Sequence, residues 1–457
     1  METATQNRHS GNDRAPVVDG SANPLHRLTP EQIEEIGREL DELHEQVKAD
    51  LGDRDAKYIR SMISLQRTLA LAGRFELFAS RWRAPWTLGT ATLGLAKILE
   101  NMEIGHNVLH GQWDWMNDPV INSRAWDWDT ASTAESWRHS HNFIHHTYTN
   151  ILGKDRDLGY EIMRIDPAQK WHPAYLLQPI YNVLLALMFE WGVALHDLDL
   201  EAIRAGEKSL KELRKDLRGI AGKARTQIVK DYVAWPLISG LVMTGAEVGT
   251  IAVKSQVEGR RSGLSRSARR AAAKVTRKTQ DKSLLSQLIE RRSFREPFRR
   301  TVQANVVANL IRNVWSYAII FCGHFPDQTY TFTQEETAEE TRGGWYVRQL
   351  LGAANIDGGP VFHVISGNLG YQVEHHLFPD MPSTRYGEIA PRVRELCERH
   401  ELPYNSGPFS QQLGMVQRTI LRLAFPGGHQ RAKPGPYHGP LIRGSGEPEA
   451  AAQSQHP

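Results

Sequence analysis

Apolar positions recur along the chain in two patterns, and the two predict different surroundings. Near the start, Ile33, Ile36, Leu40, Leu43 and Val47 return at helical spacing on one stripe between charged residues, an amphipathic helix. Thr29-Pro30-Glu31-Gln32 marks its beginning, with a capping hydroxyl, a proline in the first turn and a Gln three residues on. Further along, three windows are apolar all round: 175–196 (YLLQPIYNVLLALMFEWGVALH), 232–253 (YVAWPLISGLVMTGAEVGTIAV) and 301–323 (TVQANVVANLIRNVWSYAIIFCG). Each is long enough to cross a bilayer, which takes about 20 residues. Each carries one charged residue, Glu190, Glu247 or Arg312, and a lone charge in such a run is expected to face a bundle interior. A fourth region, 68–105, is more interrupted by charge and suggests a shallow helical hairpin. The elements predicted are helical throughout, so the fold class is all-α.

Composition changes this picture little. The chain has 457 residues, 40% hydrophobic and 23% charged, with a net charge of +3 that does not suggest a nucleic-acid partner. The mean hydropathy of −0.47 argues against a chain made mostly of lipid-facing helices. Residues 1–27 are polar, lack the apolar core of a secretory signal and read as a disordered tail. The Gly-, Pro- and His-rich residues 426–457 read as a second one. The exception to near-neutrality is 254–300, where fifteen Lys/Arg stand against four acids; it reads as a solvated basic insert that could meet anionic lipid or an acidic partner.

Only two cysteines, Cys322 and Cys397, are present, which excludes a disulfide scaffold and a Cys-rich metal site. Histidine is the anomaly, with nineteen residues gathered mainly into three clusters: His106-Asn107-Val108-Leu109-His110, His141-Asn142-Phe143-Ile144-His145-His146 and Gln372-Val373-Glu374-His375-His376. Positions i and i+4 of a helix share a face, so His106 with His110, and His141 with His145, can converge on one metal region. Adjacent His145 and His146 diverge by about 100° and suit two neighbouring metals. His375 and His376 repeat that arrangement, with Gln372 one turn before. Seven imidazoles exceed what one tetrahedral zinc needs and fit a dinuclear centre for which iron is a plausible occupant. A zinc-protease motif would need Glu where Asn107 stands. Carboxylate-bridged di-iron bundles use Glu-x-x-His pairs that are missing beside these clusters.

These clusters, in this order and with long apolar segments between the second and third, resemble the membrane fatty acid desaturase family. The match runs on through Thr149-Asn150 and Asp155-Arg156-Asp157 after the second cluster. It continues through Asn368 and His375-His376-Leu377-Phe378-Pro379 around the third. The strings EIGHNVLHGQWDWMNDP, FIHHTYTNILG and ANVVANLIRNVW resemble actinobacterial acyl-CoA desaturases, while Gln372 in place of a histidine resembles the front-end subgroup. The likeness covers roughly 28–425 and excludes the basic insert.

The resemblance implies a membrane desaturase fold, with about four transmembrane helices beneath a cytosolic helical cap. It implies a multi-pass protein of the cell membrane whose active site faces the cytoplasm. Carried over residue by residue, it implies that His106, His110, His141, His145, His146, His324, His375 and His376 bind two irons. Gln372 stands at a ligand position, either binding directly or through water. Asp155, Asp157, Asn368 and Glu374 lie behind the ligands, the three carboxylates able to accept the second N–H of an imidazole. His139 belongs to the same outer layer. His172, His196 and His363 are structural or surface histidines. The implied reaction is oxygen-dependent formation of a cis double bond in a long acyl-CoA or other acyl-lipid, at Δ9 of a saturated chain. A front-end Δ6 (linoleoyl-CoA) activity, or a hydroxylase or epoxidase on the same scaffold, is the alternative. A metal-binding or assembly protein without catalysis is a third reading. Phe425-Pro426-Gly427-Gly428 lacks the histidine of a fused cytochrome motif and no dinucleotide fingerprint appears. Electrons from NADPH would therefore come through a separate flavin or iron–sulfur reductase. The second and third clusters must share one side of the membrane, so only two of the three windows between them can cross. The resemblance lays 175–196 at the interface and pairs 232–253 with 301–323, which sets the basic insert on the outer side against the positive-inside tendency.

Overall fold

The computed structural model describes residues 23–262, 291–428 and 433. The two tails therefore lie almost wholly outside the described residues. At the N-terminal boundary, Pro24–Arg27 form a 3-10 turn whose Pro24 is buried, so packed structure begins before residue 28. The basic stretch is also shorter than its composition suggests. Helices Trp235–Ser262 and Arg292–His324 take in its two ends, and 263–290 falls outside the described residues.

Helix Pro30–Ala49 starts at the expected capping box: the Thr29 hydroxyl accepts from the Gln32 N–H at 3.3 Å, and the Gln32 side chain accepts from the Thr29 N–H at 2.8 Å. Its stripe of Ile36, Leu40 and Leu43 is buried against Tyr346, Val347 and Leu350 of helix Arg342–Gly352. The two helices come very close where Gly37 meets Gly343, and a Cβ on Gly343 would collide with the Ile33 carbonyl oxygen.

Helices Asp53–Phe78 and Arg83–Ile98 form the predicted hairpin, longer than 68–105 implied. Gly73 and Gly89 allow the contact, since a Cβ on either would lie within 3.0 Å of the other's carbonyl oxygen. Helices Trp235–Ser262 and Arg292–His324 pack against this pair and complete a four-helix bundle around Leu77, Leu93, Ala304 and Ala308. Of the described helices, Arg292–His324 is the one long and apolar enough to cross a membrane.

The window 175–196 is broken. At Met188 the backbone turns to φ −116°, ψ 30°, giving helices Gln178–Leu187 and Phe189–His196. At 1.5 Å per residue neither reaches across a 30 Å hydrocarbon core. Their exposed residues are apolar, including Ile180, Val183, Leu184, Leu187, Met188 and Leu195. The expected inward-facing charges divide. Glu190 and Arg312 are buried and paired with each other, whereas Glu247 is exposed on the flank of its helix.

Above one end of the bundle, helices Arg342–Gly352, Gln372–Leu377, Tyr386–Arg399 and Phe409–Leu423 build the cap. Its largest core includes Tyr346, Phe378, Tyr386 and Leu396. One two-stranded parallel ladder, Asn355–Asp357 with Ser406–Pro408, ties the third histidine cluster's approach to the last helix. The close approach of helices Pro30–Ala49 and Arg342–Gly352 is open to test. Gly343→Ala is expected to cost about 1–3 kcal/mol by overpacking, read as a lowered thermal midpoint of the purified protein; an unchanged midpoint would contradict the packing described.

Candidate metal centre

Each histidine cluster sits where a helix departs from ordinary α-geometry or ends. Leu99–His106 and Arg138–His145 are π-helical, a form often found at functional sites. The wider turn swings His146 round to the side of His141, with ring centroids 5.0 Å apart. The third cluster lies on helix Gln372–Leu377, buried along its whole length. His324 is the last residue of helix Arg292–His324.

These segments, far apart in sequence, meet in one buried cage. His106, His110, His141 and His375 bring one nitrogen each within 4.8 Å of the others, and His145, His324 and His376 form a second such group. His146 stands between them, 4.8 Å from His110, 4.9 Å from His375 and 4.5 Å from His376, ring centre to ring centre. His106 Nε2 and His375 Nε2 are 3.4 Å apart, as are His376 Nε2 and His324 Nε2. Two nitrogens bound to one metal at about 2.1 Å sit at about that separation. The Gln372 amide reaches His324 Nε2 at 2.9 Å.

Inside the cage, buried nitrogens stand without a hydrogen-bond partner: Nε2 of His110, His141 and His145, and both ring nitrogens of His146. The Gln372 Oε1 is likewise orphaned. A buried polar atom without a partner is costly, and a metal at the centre of each group would satisfy these lone pairs. Burial pushes His106, His110, His146, His375 and His376 well below the ordinary imidazole range, so these rings are neutral donors. At His145 burial also acts downward, but Asp155 and Asp157 outweigh it and the net shift is upward. The donor set of imidazoles and one amide suits a first-row transition metal.

The outward nitrogens are anchored. His145 Nδ1 lies 3.0 and 3.1 Å from the two oxygens of Asp155, and His141 Nδ1 lies 3.3 Å from Asp157. The Asp155 carboxylate is itself fixed, accepting from the Asn150 N–H at 2.7 Å and the Asp157 N–H at 3.0 Å. His375 Nδ1 meets the Tyr386 hydroxyl at 3.2 Å, which in turn donates to the Phe378 carbonyl. His376 Nδ1 meets Gln349 Oε1 at 3.0 Å. Each anchor holds the proton on the outer nitrogen and leaves the inner lone pair free.

Three sequence expectations need correction. Glu374 touches no imidazole; it accepts from Tyr404 at 2.6 Å and Asn355 at 2.9 Å. Asn368 donates to Glu103 at 3.0 Å and not to a ligand ring. His139 is exposed and stacks on Phe143. For Glu374 the reason is helix geometry: on helix Gln372–Leu377 the residue before His375 and His376 points away from the cage. Conversely, Tyr386, Gln349 and Trp137, which stacks on His141 at 4.6 Å, were not foreseen. No spacing relative to the clusters marks them. His196, expected to be structural, is buried and lies 3.0 Å from the second oxygen of Asp157.

A narrow cavity opens beside His106 and His141. Trp128, Trp137, Tyr160, Phe189, Val193 and Ile320 form an apolar side, and Glu190, Asp157, Asp197 and several hydroxyl side chains form a polar one.

The model of the fatty acid desaturase family matches residues 80–247 and 301–408, leaving out the stretch that holds the basic insert. A NADPH-dependent stearoyl-CoA 9-desaturase of Mycobacterium tuberculosis (strain ATCC 25618 / H37Rv) is 43% identical over 399 residues, 87% of this chain and 82% of that one. Shorter likenesses join it to an acyl-lipid (9-3)-desaturase of Borago officinalis, 41% identical over 81 residues and 18% of each chain. Fatty acid desaturase 3 of Homo sapiens is 36% identical over 86 residues, 19% of each chain. No solved structure matches.

The anchors make a sharp test. Asp155→Asn is expected to lower metal affinity about 10–100-fold, measured by titration of the metal-free protein with ferrous iron. Glu374→Gln, which leaves every imidazole anchor intact, is expected to lower stability with far less effect on affinity. Equal effects of the two substitutions would contradict the assignment of anchors.

Proposed function

The chain belongs to the fatty acid desaturase family, and from that premise we propose that it is a membrane di-iron acyl-CoA desaturase. In this reading it introduces a cis double bond at Δ9 of a long saturated chain. The observation that carries the proposal is the buried cage of converging imidazoles, several with orphaned ring nitrogens, beside a cavity with an aromatic wall. His106, His110, His141 and His375 would hold one iron, and His145, His324 and His376 the other. His146 would lie between the two, and Gln372 beside His324.

Overall, an acyl-CoA, one O2, two electrons and two protons give a cis alkene and two waters. Two irons, when bound, supply with oxygen an oxidant able to remove hydrogen from an unactivated methylene, which no side chain can do. The chain's own part is positioning. Asp155, Asp157, Tyr386 and Gln349 keep the ring protons outside the cage and the lone pairs inside. Trp128, Trp137, Tyr160, Phe189, Val193 and Ile320 exclude water and lay a methylene chain alongside His106 and His141. The depth of that cavity would select the carbon that reacts.

The multi-pass reading takes Asp53–Phe78 and Arg83–Ile98 as a hairpin set into the bilayer and Trp235–Ser262 with Arg292–His324 as the pair beside it, and Arg292–His324, long and apolar enough to cross, is what supports it. The cap and cage then lie at the cytoplasmic face, and the broken 178–196 segment rests in the interface with its apolar side in lipid. A relative that spans 87% of this chain is named NADPH-dependent, which supports an NADPH-linked electron supply; a separate reductase would deliver it. A second reading draws on Gln372, which stands where front-end enzymes differ from other desaturases, and would move the double bond to Δ6.

Lipid profiling of cells with and without the gene tests both readings at once. A new Δ9 product is expected. A Δ6 product would favour the second reading, and a hydroxy or epoxy acid would move the chain to another reaction on the same scaffold. His145→Ala is expected to remove the product entirely, and undiminished product would overturn the assignment of the cage as the active site.

A further inference from the structure

The end of the bundle remote from the histidines concentrates arginine. The Ser80 hydroxyl donates to the Pro297 carbonyl at 3.4 Å and the Trp86 indole donates to the Arg300 carbonyl at 3.0 Å. These bonds set the turn at 79–82 against the first turns of helix Arg292–His324. Arg81 and Arg83 thus share a surface with Arg291, Arg292, Arg295 and Arg299, all six of them exposed. Glu296 is paired with Arg292 at 3.2 Å. No ion pair joins Arg291, Arg295 or Arg299 to a carboxylate among the described residues.

This arrangement repels itself. Arg292 and Arg295 lie in the opening turn of a 33-residue helix that has no acidic residue there and no side-chain cap. The helix dipole adds further positive potential at that end. In sequence, residues 263–290 add seven Lys/Arg against two acids. An anion is the missing element.

The surface also has the shape for one particular kind of anion. Between helices Trp235–Ser262 and Arg292–His324 runs an open groove with Arg292, Arg295 and Arg299 on its rim and Leu237, Phe294 and Phe298 on its walls; Glu296, held in its pair with Arg292, lines it too, so the cations outnumber the one carboxylate three to one. Cations at one level and apolar walls beside them match an amphiphile, a phosphate joined to methylenes. Trp82 and Phe75, 52% and 65% exposed at the same end, resemble the aromatic belt of a membrane interface.

We propose that this groove is a binding site for an anionic phospholipid of the leaflet opposite the metal centre. Its headgroup phosphate lies against Arg292, Arg295 and Arg299, and the upper part of an acyl chain against Leu237 and Phe298. The inference rests on the membrane reading above. It also accounts for a basic surface on the side where the positive-inside tendency disfavours one, because bound phosphate neutralises it.

The test uses the full chain in nanodiscs of equal parts phosphatidylglycerol and phosphatidylcholine, with retained lipid counted by native mass spectrometry. Wild type is expected to keep phosphatidylglycerol in preference to phosphatidylcholine. The triple substitution Arg292→Gln, Arg295→Gln, Arg299→Gln is expected to reduce that preference about tenfold or more, with iron content and alkene formation unchanged as proof of folding. Arg295→Lys alone, which keeps the charge, is expected to retain most of it. Equal retention of the two lipids by wild type, or an unchanged preference in the triple variant, overturns the site. Displacement of the lipid by inorganic phosphate also overturns it, because a site for free phosphate would then suffice. A chain that enters no nanodisc overturns the membrane reading instead.

Discussion

The constraint on which the rest of this structure depends is electrostatic. Eight imidazoles from four segments are buried in one cage, and several of their ring nitrogens have no protein partner. Neutral rings with converging lone pairs gain nothing from one another, and each orphaned nitrogen has lost its water. Such a core does not form because it is stable in itself. It forms because the surrounding helices are stable enough to impose it, and because a metal can later repay the lost hydrogen bonds. The cap's apolar clusters, and the close glycine contacts that fix its helices, are therefore part of the chemistry.

The second consequence concerns where protons sit. A histidine ligand is useful only as the correct tautomer, and here the choice is made from outside by four different groups. Asp155 and Asp157 act on the second cluster, Tyr386 and Gln349 on the third. The two sets differ in charge. Carboxylates behind His141 and His145 make those rings stronger donors, whereas the phenol and the amide behind His375 and His376 leave theirs closer to free imidazole. Each half of the cage thus combines one ring backed by a carboxylate, His141 or His145, with one backed by a neutral group, His375 or His376.

What could be read from the sequence was local. Helical spacing alone groups His106 with His110, and the capping box at Thr29 is a four-residue signal; the same spacing joins His141 to His145, which the structure divides between the two groups because their helix is π-helical there. The break at Met188 was not legible, because an unbroken apolar run gives no sign of where it bends. Nor were Tyr386 and Gln349, whose roles arise only when separate helices meet. Glu374 shows the converse error: proximity in sequence to two ligands suggested an anchor, but one residue along a helix turns a side chain through about 100°, toward Tyr404 and away from the cage.

Between cap and bundle lies a layer that neither the cage nor a simple membrane anchor requires. Lys97 is buried 2.7 Å from Asp231, Arg312 pairs with Glu190, and Asp129 faces Lys97 at 3.8 Å. Gln227 donates to Glu190 at 2.8 Å, and Arg312 donates to the Asp129 carbonyl at 3.2 Å. Burying such charges costs several kcal/mol per ion before pairing, and apolar residues of the same size would often be as stable. What they provide is register. Apolar helices can slide along one another at little cost, whereas a slip of one turn here would separate five charged groups inside a low-dielectric core. Lys97 lies nine residues before His106, and Arg312 twelve before His324, so the same layer that fixes the bundle fixes the height at which the ligands of both groups arrive. Glu190 also lines the cavity beside the cage. One polar layer thereby ties together the pairing of the helices, the position of the histidines and a wall of the space where an acyl chain would lie.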